Sequence, residues 1–230
     1  IAQRFKQNGA TVICADLKSP QDESLNFIVT DVSNEASVTA MMDQVEKEFG
    51  HLDVLVNNAG ICVETPIQDT TEQQWNRVMD INIKGTFLTT KHALRLMKKP
   101  AAQAPSIVNI SSIEGLGANP LHAVYAASKA AVAGFTHNTA LEYGPYGIRC
   151  NSVAPGWINT PFNQQFLAQY PDRKAVDAEI ESLHPAGRLG TPEDVANTVF
   201  WLASTEASFI TGQEIICDGG RLAKLPLPKL

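Results

Sequence analysis

The sequence has 230 residues, 44% hydrophobic and 18% charged, with a net charge of −6 and an isoelectric point near 5.4. That balance describes an ordinary globular protein and argues against a nucleic-acid binder, which usually shows a basic face. No apolar run approaches the ~18 residues of a membrane span, no secretory pattern is visible in the first residues, and Cys14, Cys62, Cys150 and Cys217 read as free thiols of a reducing, cytoplasmic compartment.

The chain opens on a helical pattern at 1–8 with no strand before it, so it is expected to begin inside an α/β unit. Strand patterns follow at 11–16 ("TVICAD") and 25–31 ("LNFIVTD"). A helix over 34–49 starts at the cap-like "SNEAS" and stops at Gly50. Next come a strand at 52–59, a helix over 71–98, a loop to 106, a strand at 106–111, a helix over 122–143 and a strand at 148–155. Residues 156–190 form a long insertion, a length that in compact domains marks a substrate loop. The helix at 192–203 opens on Thr191, Pro192 and two acids that suit its dipole, and a strand at 214–219 follows. The proline-broken tail "LAKLPLPKL" reads equally as a frayed terminus or a contact with a neighbouring subunit. Strands that are apolar nearly throughout, separated by helices, predict a parallel sheet covered on both faces. The expected fold is thus α/β, a doubly wound Rossmann-type sheet in a single domain over 1–230. Ligands of such sheets bind beyond the carboxyl ends of the strands.

Within the helix at 122–143 stands "YAASK", residues 125–129. A four-residue step places Tyr125 and Lys129 on one helix face, a turn apart. The pair alone reads as a packed ring beside a solvated cation, or as a phenol made acidic by an ammonium. The wider pattern narrows this. "NNAG" (57–60), "INIKGTF" (81–87), "IVNISS" (107–112), "YAASK", "NSVAPGWINTP" (151–161) and "GQEIICDGG" (212–220) resemble, in order and spacing, a classical short-chain dehydrogenase/reductase over essentially the whole chain. The block without a counterpart is the family's first strand and glycine-rich turn. A ribose-binding acid lies roughly 20 residues after that turn, so counting back from Asp16 puts the turn ahead of Ile1, and both are expected to precede the given sequence.

The resemblance implies a catalytic set of Ser112, Tyr125 and Lys129, with Asn82 as a fourth member that anchors a relay water. Ser112 is preferred over Ser111 because it stands at the family's usual thirteen-residue interval before the tyrosine. An alcohol that loses a hydride must also lose a proton, and an unperturbed tyrosine, with a pKa near ~10, is a poor base at neutral pH. A neighbouring ammonium and a positive nicotinamide ring would lower it, while Ser112 would hold the substrate oxygen. Asn82 has a structural alternative, bonding to nearby backbone.

For the cofactor, the resemblance implies contacts from Asp16, Asp31, Val32, Asn57, Ala59, Gly60, Tyr125, Lys129, Pro155, Gly156, Ile158 and Thr160. Asp16 suits two ribose hydroxyls and repels a 2′-phosphate, so NAD is expected over NADP, with Lys18 a partial offset. Gly60 alternatively serves only a turn, and Thr160 only a helix cap before Pro161. "GLGANP" (115–120) lacks a third glycine and reads as a pocket loop, and Ser112, Glu114 and His122 lack the elbow of a hydrolase. His122 reads as a plain polar residue before a helix, Cys62 as a filler, and no metal site is expected. Trp157, Phe162, Phe166 and Leu167 point to an apolar lining and a small-molecule secondary alcohol or ketone, though the same side chains would serve to pack the lid. The family implies a homo-oligomer, dimer or tetramer, consistent with the small residues 126–134.

Overall fold

The computed structural model describes residues 1–167 and 171–224, apart from the side chains of Gln165 and Phe166. The expectations for Phe166 and for the end of the tail therefore lie outside the described residues.

Among the described residues, six parallel strands carry the fold: β1 (Ile13–Asp16), β2 (Asn26–Val29), β3 (Val54–Asn57), β4 (Ser106–Ile110), β5 (Arg149–Pro155) and β6 (Glu214–Cys217). Successive side chains leave a strand on opposite faces, and β4 shows the result. Ile107 joins a core with Met41, Met42 and Val45 of α2 (Glu35–Phe49) and Leu94, Leu96 and Met97 of α4 (Gly85–Met97). Its neighbour Val108 joins Val153 of β5 and Val195, Val199 and Leu202 of α8 (Pro192–Ala203) on the other side. The sheet is thus buried by helices on both faces, as a doubly wound fold requires. The first helix, α1 (Ala2–Gln7), lies against α8, with Phe5 edge-on to Phe200 at 5.2 Å.

Strand pairing divides into two sheets, β1–β2 and β3–β4–β5–β6. Between β1 and β3 runs a trough of about 1460 Å³, lined by Ile13, Cys14 and Ala15 on one wall and Val54, Leu55 and Val56 on the other. It continues past the carboxyl ends of β4 and β5.

Two regions differ from the sequence reading. The helix expected over 71–98 is α3 (Glu72–Met79), a π-helical turn (Asp80–Lys84) and α4 in succession. Thr71 and Gln74 close a reciprocal capping box at the start of α3. The stretch 156–190, expected as loop, contains α6 (Pro161–Leu167) and α7 (Arg173–Leu183). Proline at the first position of α6 needs no N–H partner. In α7 the Asp172 carboxylate accepts from Ala175 N at 3.1 Å, and Arg173 pairs with Asp177 at 2.8 Å one turn on.

Candidate active site

The carboxyl ends of β3, β4 and β5 and the first turns of α5 (Ala123–Tyr143) meet at one end of the trough. As β4 ends, Ser111 turns into the sheet, its hydroxyl donating to Val153 O at 2.9 Å. Ser112 is thereby turned toward the trough, where its Oγ accepts from Glu114 N at 3.1 Å and caps a short 3-10 turn. On α5, Lys129 is buried at 4% exposure, its Nζ donates to Ile110 O at 2.8 Å and lies 5.6 Å from the centroid of the Tyr125 ring. Tyr125, Lys129 and Ser112 all line the trough.

The electrostatics differ from the expectation of an acidified phenol. Burial raises the Tyr125 pKa above its ordinary value, hydrogen bonding with Ser112 pulls it down, and Cys62 and Glu114 add to the rise. Burial also lowers Lys129 to about 8. In the chain alone the phenol is held protonated, and the ammonium is strained by its own burial rather than spent on the tyrosine.

Asn82 lies behind this wall, on the π-helical turn, at 1% exposure. Its Oδ1 accepts from Ile61 N at 2.8 Å, and its Nδ2 donates to Ile61 O and to Ser128 Oγ, both at 2.9 Å. The amide therefore fastens the segment after β3 to α5, and its side chain does not line the trough. The extra residue of a π turn re-aims a side chain without ending the helix. Gly60 passes between these groups: a Cβ there would stand 3.3 Å from Lys129 Nζ and 3.4 Å from Asn82 Oδ1.

The residues expected to bind a cofactor fall into two sets. Asp16, Gly60, Pro155, Gly156, Ile158 and Thr160 line the trough with the tyrosine and lysine. Gly156 passes the end of β6 so closely that a Cβ would meet Asp218 Cα at 2.9 Å. Asp16, exposed at the end of β1, accepts from Lys18 N at 3.2 Å. Thr160 Oγ1 donates to Ile158 O at 3.4 Å, and its own carbonyl starts α6 by accepting from Gln164 N at 2.9 Å. Asp31, Val32, Asn57 and Ala59 are not among the lining residues. Asp31 caps the turn after β2 by accepting from Ser33 N at 2.9 Å, and Val32 packs under Gly85. The Asn57 amide is spent inside the fold: Oδ1 accepts from Thr89 Oγ1 at 2.6 Å, and Nδ2 donates to Thr90 Oγ1 at 3.1 Å and Asn109 Oδ1 at 2.8 Å. What Asn57 has left to offer a ligand is backbone.

The end of the trough beside Ser112 and Tyr125 is more polar than the sequence suggested. Phe162 and Trp157 line it, but Leu167 is buried at 2% and is not among the lining residues. In their company stand Cys62, Glu64, Glu114 and His122. Glu114, 8% exposed, accepts from His122 Nδ1 at 3.1 Å and from Asn119 N at 3.2 Å. Burial tends to raise its pKa, but His122 and Asn119 outweigh this and hold it below the usual carboxylate value. The same bond to Glu114 raises His122, against burial. Burial raises Glu64, and it pushes Cys62 up to about 12, helped by the two carboxylates. The Glu114–His122 proximity has a sequence signal in their eight-residue spacing across a short turn; Glu64 and Cys62 have none.

Comparison with known proteins gives a consistent picture. The family model described as Enoyl-(Acyl carrier protein) reductase matches residues 1–221. Cyclopentanol dehydrogenase of Comamonas sp. (strain NCIMB 9872) is 39% identical over 230 residues, which span 94% of this chain and 89% of that protein. The ligand-free structure of Thermoplasma acidophilum aldohexose dehydrogenase is 37% identical and superposes with a TM-score of 0.95, covering 100% of this chain and 91% of that one. ElxO, solved with NADP bound, is 35% identical with a TM-score of 0.86, covering 97% and 93% of the two chains.

Proposed function

Because the chain belongs to the classical short-chain dehydrogenase/reductase family, we propose that it moves a hydride between a nicotinamide cofactor, NAD in preference, and a small secondary alcohol or ketone. The observation that carries this reading is the convergence of Ser112, Tyr125 and Lys129 on one end of a trough whose far wall bears Asp16. The nicotinamide, when bound, supplies or accepts the hydride. The chain supplies the rest. Ser112 Oγ holds the substrate oxygen as its charge changes. Tyr125 takes the hydroxyl proton in oxidation and returns it in reduction. A phenol raised by burial performs that exchange only when positive charge is brought beside it, and Lys129, already against the ring, is the protein's share of that charge. Asn82 keeps the 60–62 segment and α5 in register around the pair.

Asp16 supports NAD: its exposed carboxylate suits a ribose diol and repels a 2′-phosphate. Gly60, Pro155, Gly156, Ile158 and Thr160 are the other trough-lining residues in reach of a cofactor. Asp31, Val32, Asn57 and Ala59 would contribute through backbone or by shaping the turns. The exposed ring of Phe87, edge-on to Phe135 of α5 at 6.4 Å, supports a homo-oligomer, dimer or tetramer. Among the described residues no helix is long and apolar enough to cross a membrane, and all four cysteines are free, which supports work in the cytoplasm.

Titration with NADH and NADPH tests the cofactor, and turnover of Tyr125→Phe on small cyclic alcohols tests the base. Tighter NADH binding and a loss of turnover of about 10³-fold or more are expected. Preference for NADPH would refute the role of Asp16, and full turnover by the phenylalanine variant would refute that of Tyr125.

A further inference from the structure

Cys62, Glu64 and His122 reach the substrate end of the trough from two segments far apart in the chain. One ligand atom from each, the Cys62 sulfur, a Glu64 carboxylate oxygen and a His122 ring nitrogen, lie within 4.8 Å of one another. His122 Nε2 faces Glu64 Oε1 at 3.9 Å, while Nδ1 is bonded to Glu114 at 3.1 Å. Glu114 is in turn held by the backbone and side chain of Asn119. A carboxylate on one imidazole nitrogen, with a second carboxylate 3.9 Å from the other and a thiol in the same cluster, is the outer-partner arrangement that orients metal-binding histidines.

The backbone around these side chains is fixed. Ile61, just before Cys62, has both its N–H and its C=O bonded to the Asn82 amide. Thr65 N donates to Leu121 O at 3.0 Å and ties the two segments together beside the cluster. Tetrahedral zinc holds its ligands at about 2.0–2.3 Å, which sets ligand atoms roughly 3.3–3.8 Å apart. Side-chain rotations of about 1 Å thus close the cluster onto an ion.

We propose that Cys62, Glu64 and His122 form a three-ligand site for a divalent cation of the zinc class, with Glu114 as the residue that positions the imidazole. A thiolate, an imidazole and one carboxylate form a borderline-soft donor set, which selects zinc over magnesium or calcium. The thiolate and the Glu64 carboxylate together balance the charge of the dication, and the thiol proton leaves to solvent as the metal–sulfur bond forms. Cys62, Glu64 and His122 all line the trough. His122 and Tyr125 rings are 6.3 Å apart, so a bound ion would share the substrate end with the proposed acid/base.

Cobalt(II) titrated into chelator-treated protein tests the site without reference to turnover. The expected result is a thiolate-to-cobalt charge-transfer band and tetrahedral d–d bands that saturate at one cobalt per chain and are lost when zinc is added. Cys62→Ser abolishes the charge-transfer band, Cys150→Ser leaves it, and Glu114→Gln keeps the band with affinity weakened about 10- to 100-fold. In the unaltered protein, zinc protects Cys62 from alkylation, read by peptide mass, so the proposal stays testable if a variant fails to fold. No band in the parent protein, a band that survives Cys62→Ser, or alkylation of Cys62 unaffected by zinc would each overturn it.

Discussion

Replacing Lys129 by methionine should abolish turnover and at the same time stabilise the cofactor-free fold at neutral pH. The ammonium is buried at 4% exposure and donates to one carbonyl, Ile110 O. Burial lowers its pKa from 10.5 to about 8, with only the neighbouring Cys62 opposing. A drop of that size corresponds to about 3 kcal/mol of folding free energy spent on keeping the charge inside. Methionine keeps most of the stem, removes the charge and leaves Ile110 O without its donor, a loss of about 1 kcal/mol. The net expectation is a gain of about 2 kcal/mol at pH 7. The sign with pH follows from the lowered value. The unfolded chain holds the proton more tightly, so wild-type stability rises between about pH 8 and pH 10.5. The advantage of methionine is therefore complete below pH 8 and gone by pH 10.5. Urea unfolding of both proteins at pH 7 and pH 10 measures it. A methionine variant less stable than wild type at pH 7, or a gap that does not shrink on alkalinisation, would refute the reasoning.

Asn82→Ala removes three hydrogen bonds, one to buried Ser128 and two to the half-buried Ile61 backbone, and should lower stability by about 3 kcal/mol in urea while reducing turnover; Asn82→Asp should not rescue it, because a carboxylate has no proton to give Ile61 O. An alanine variant within about 1 kcal/mol of wild type would contradict the fastening role. Arg149 is buried and donates to the carbonyls of Leu202, Ala203, Ser204 and Ile210, so it closes the carboxyl end of α8; Arg149→Met should cost about 2–4 kcal/mol in thermal or urea unfolding, with Lys recovering only part, since an ammonium lacks the fork that spans two segments. Arg188 beside Asp194, followed by the Thr191 backbone, holds the Asp194 carboxyl well below the usual range. A depressed carboxylate contributes stability above its unfolded value and loses it on acidification, so wild type should lose up to about 1 kcal/mol relative to Asp194→Asn as pH falls below about 4, a small figure because the pair is largely exposed.

The strands were legible because Ile107, Val108 and Ile110, and Cys150, Val153 and Ala154, make short apolar segments bounded by turn residues, and the two ends of α2 and the start of α8 because Asn34, Gly50 and Thr191 carry recognisable cap chemistry. Ser112, Tyr125 and Lys129 were singled out by the resemblance of the blocks around them to a known family, because the shared helix face of Tyr125 and Lys129 left their role open by itself; all three line one trough. Other features were not. The break at 80–84 contains neither proline nor glycine, and a one-residue change in hydrogen-bond register leaves no mark on the apolar pattern. In α7 a single buried residue, Ile180, faces the core, too little periodicity to stand out from loop, although Asp172 and the Arg173–Asp177 pair were visible signals. The polarity of the substrate end was hidden because Cys62, Glu64 and His122 meet only in three dimensions. Asn57 was expected at the cofactor because "NNAG" resembles a segment along which the backbone approaches it; that its side-chain amide is held by Thr89 and Thr90 of α4 and Asn109 of β4 depends on contacts the sequence does not show.

Between α3 and α4 the chain carries one residue more than a regular rod would need. Deleting a single residue there would let the coil wind without interruption from Glu72 to Met97, and by local criteria that rod would be the better helix. A wide turn takes up its extra residue within a single turn, so α3 and α4 would keep their faces and only the residues of the turn itself would be re-aimed. Asn82, which stands in that turn, would swing away from Ile61 and Ser128, while Thr89 and Thr90 would keep their hold on Asn57. The irregular turn lets one continuous stem satisfy two partners at once, so shortening it should yield a tidier helix in a protein that no longer assembles its own pocket.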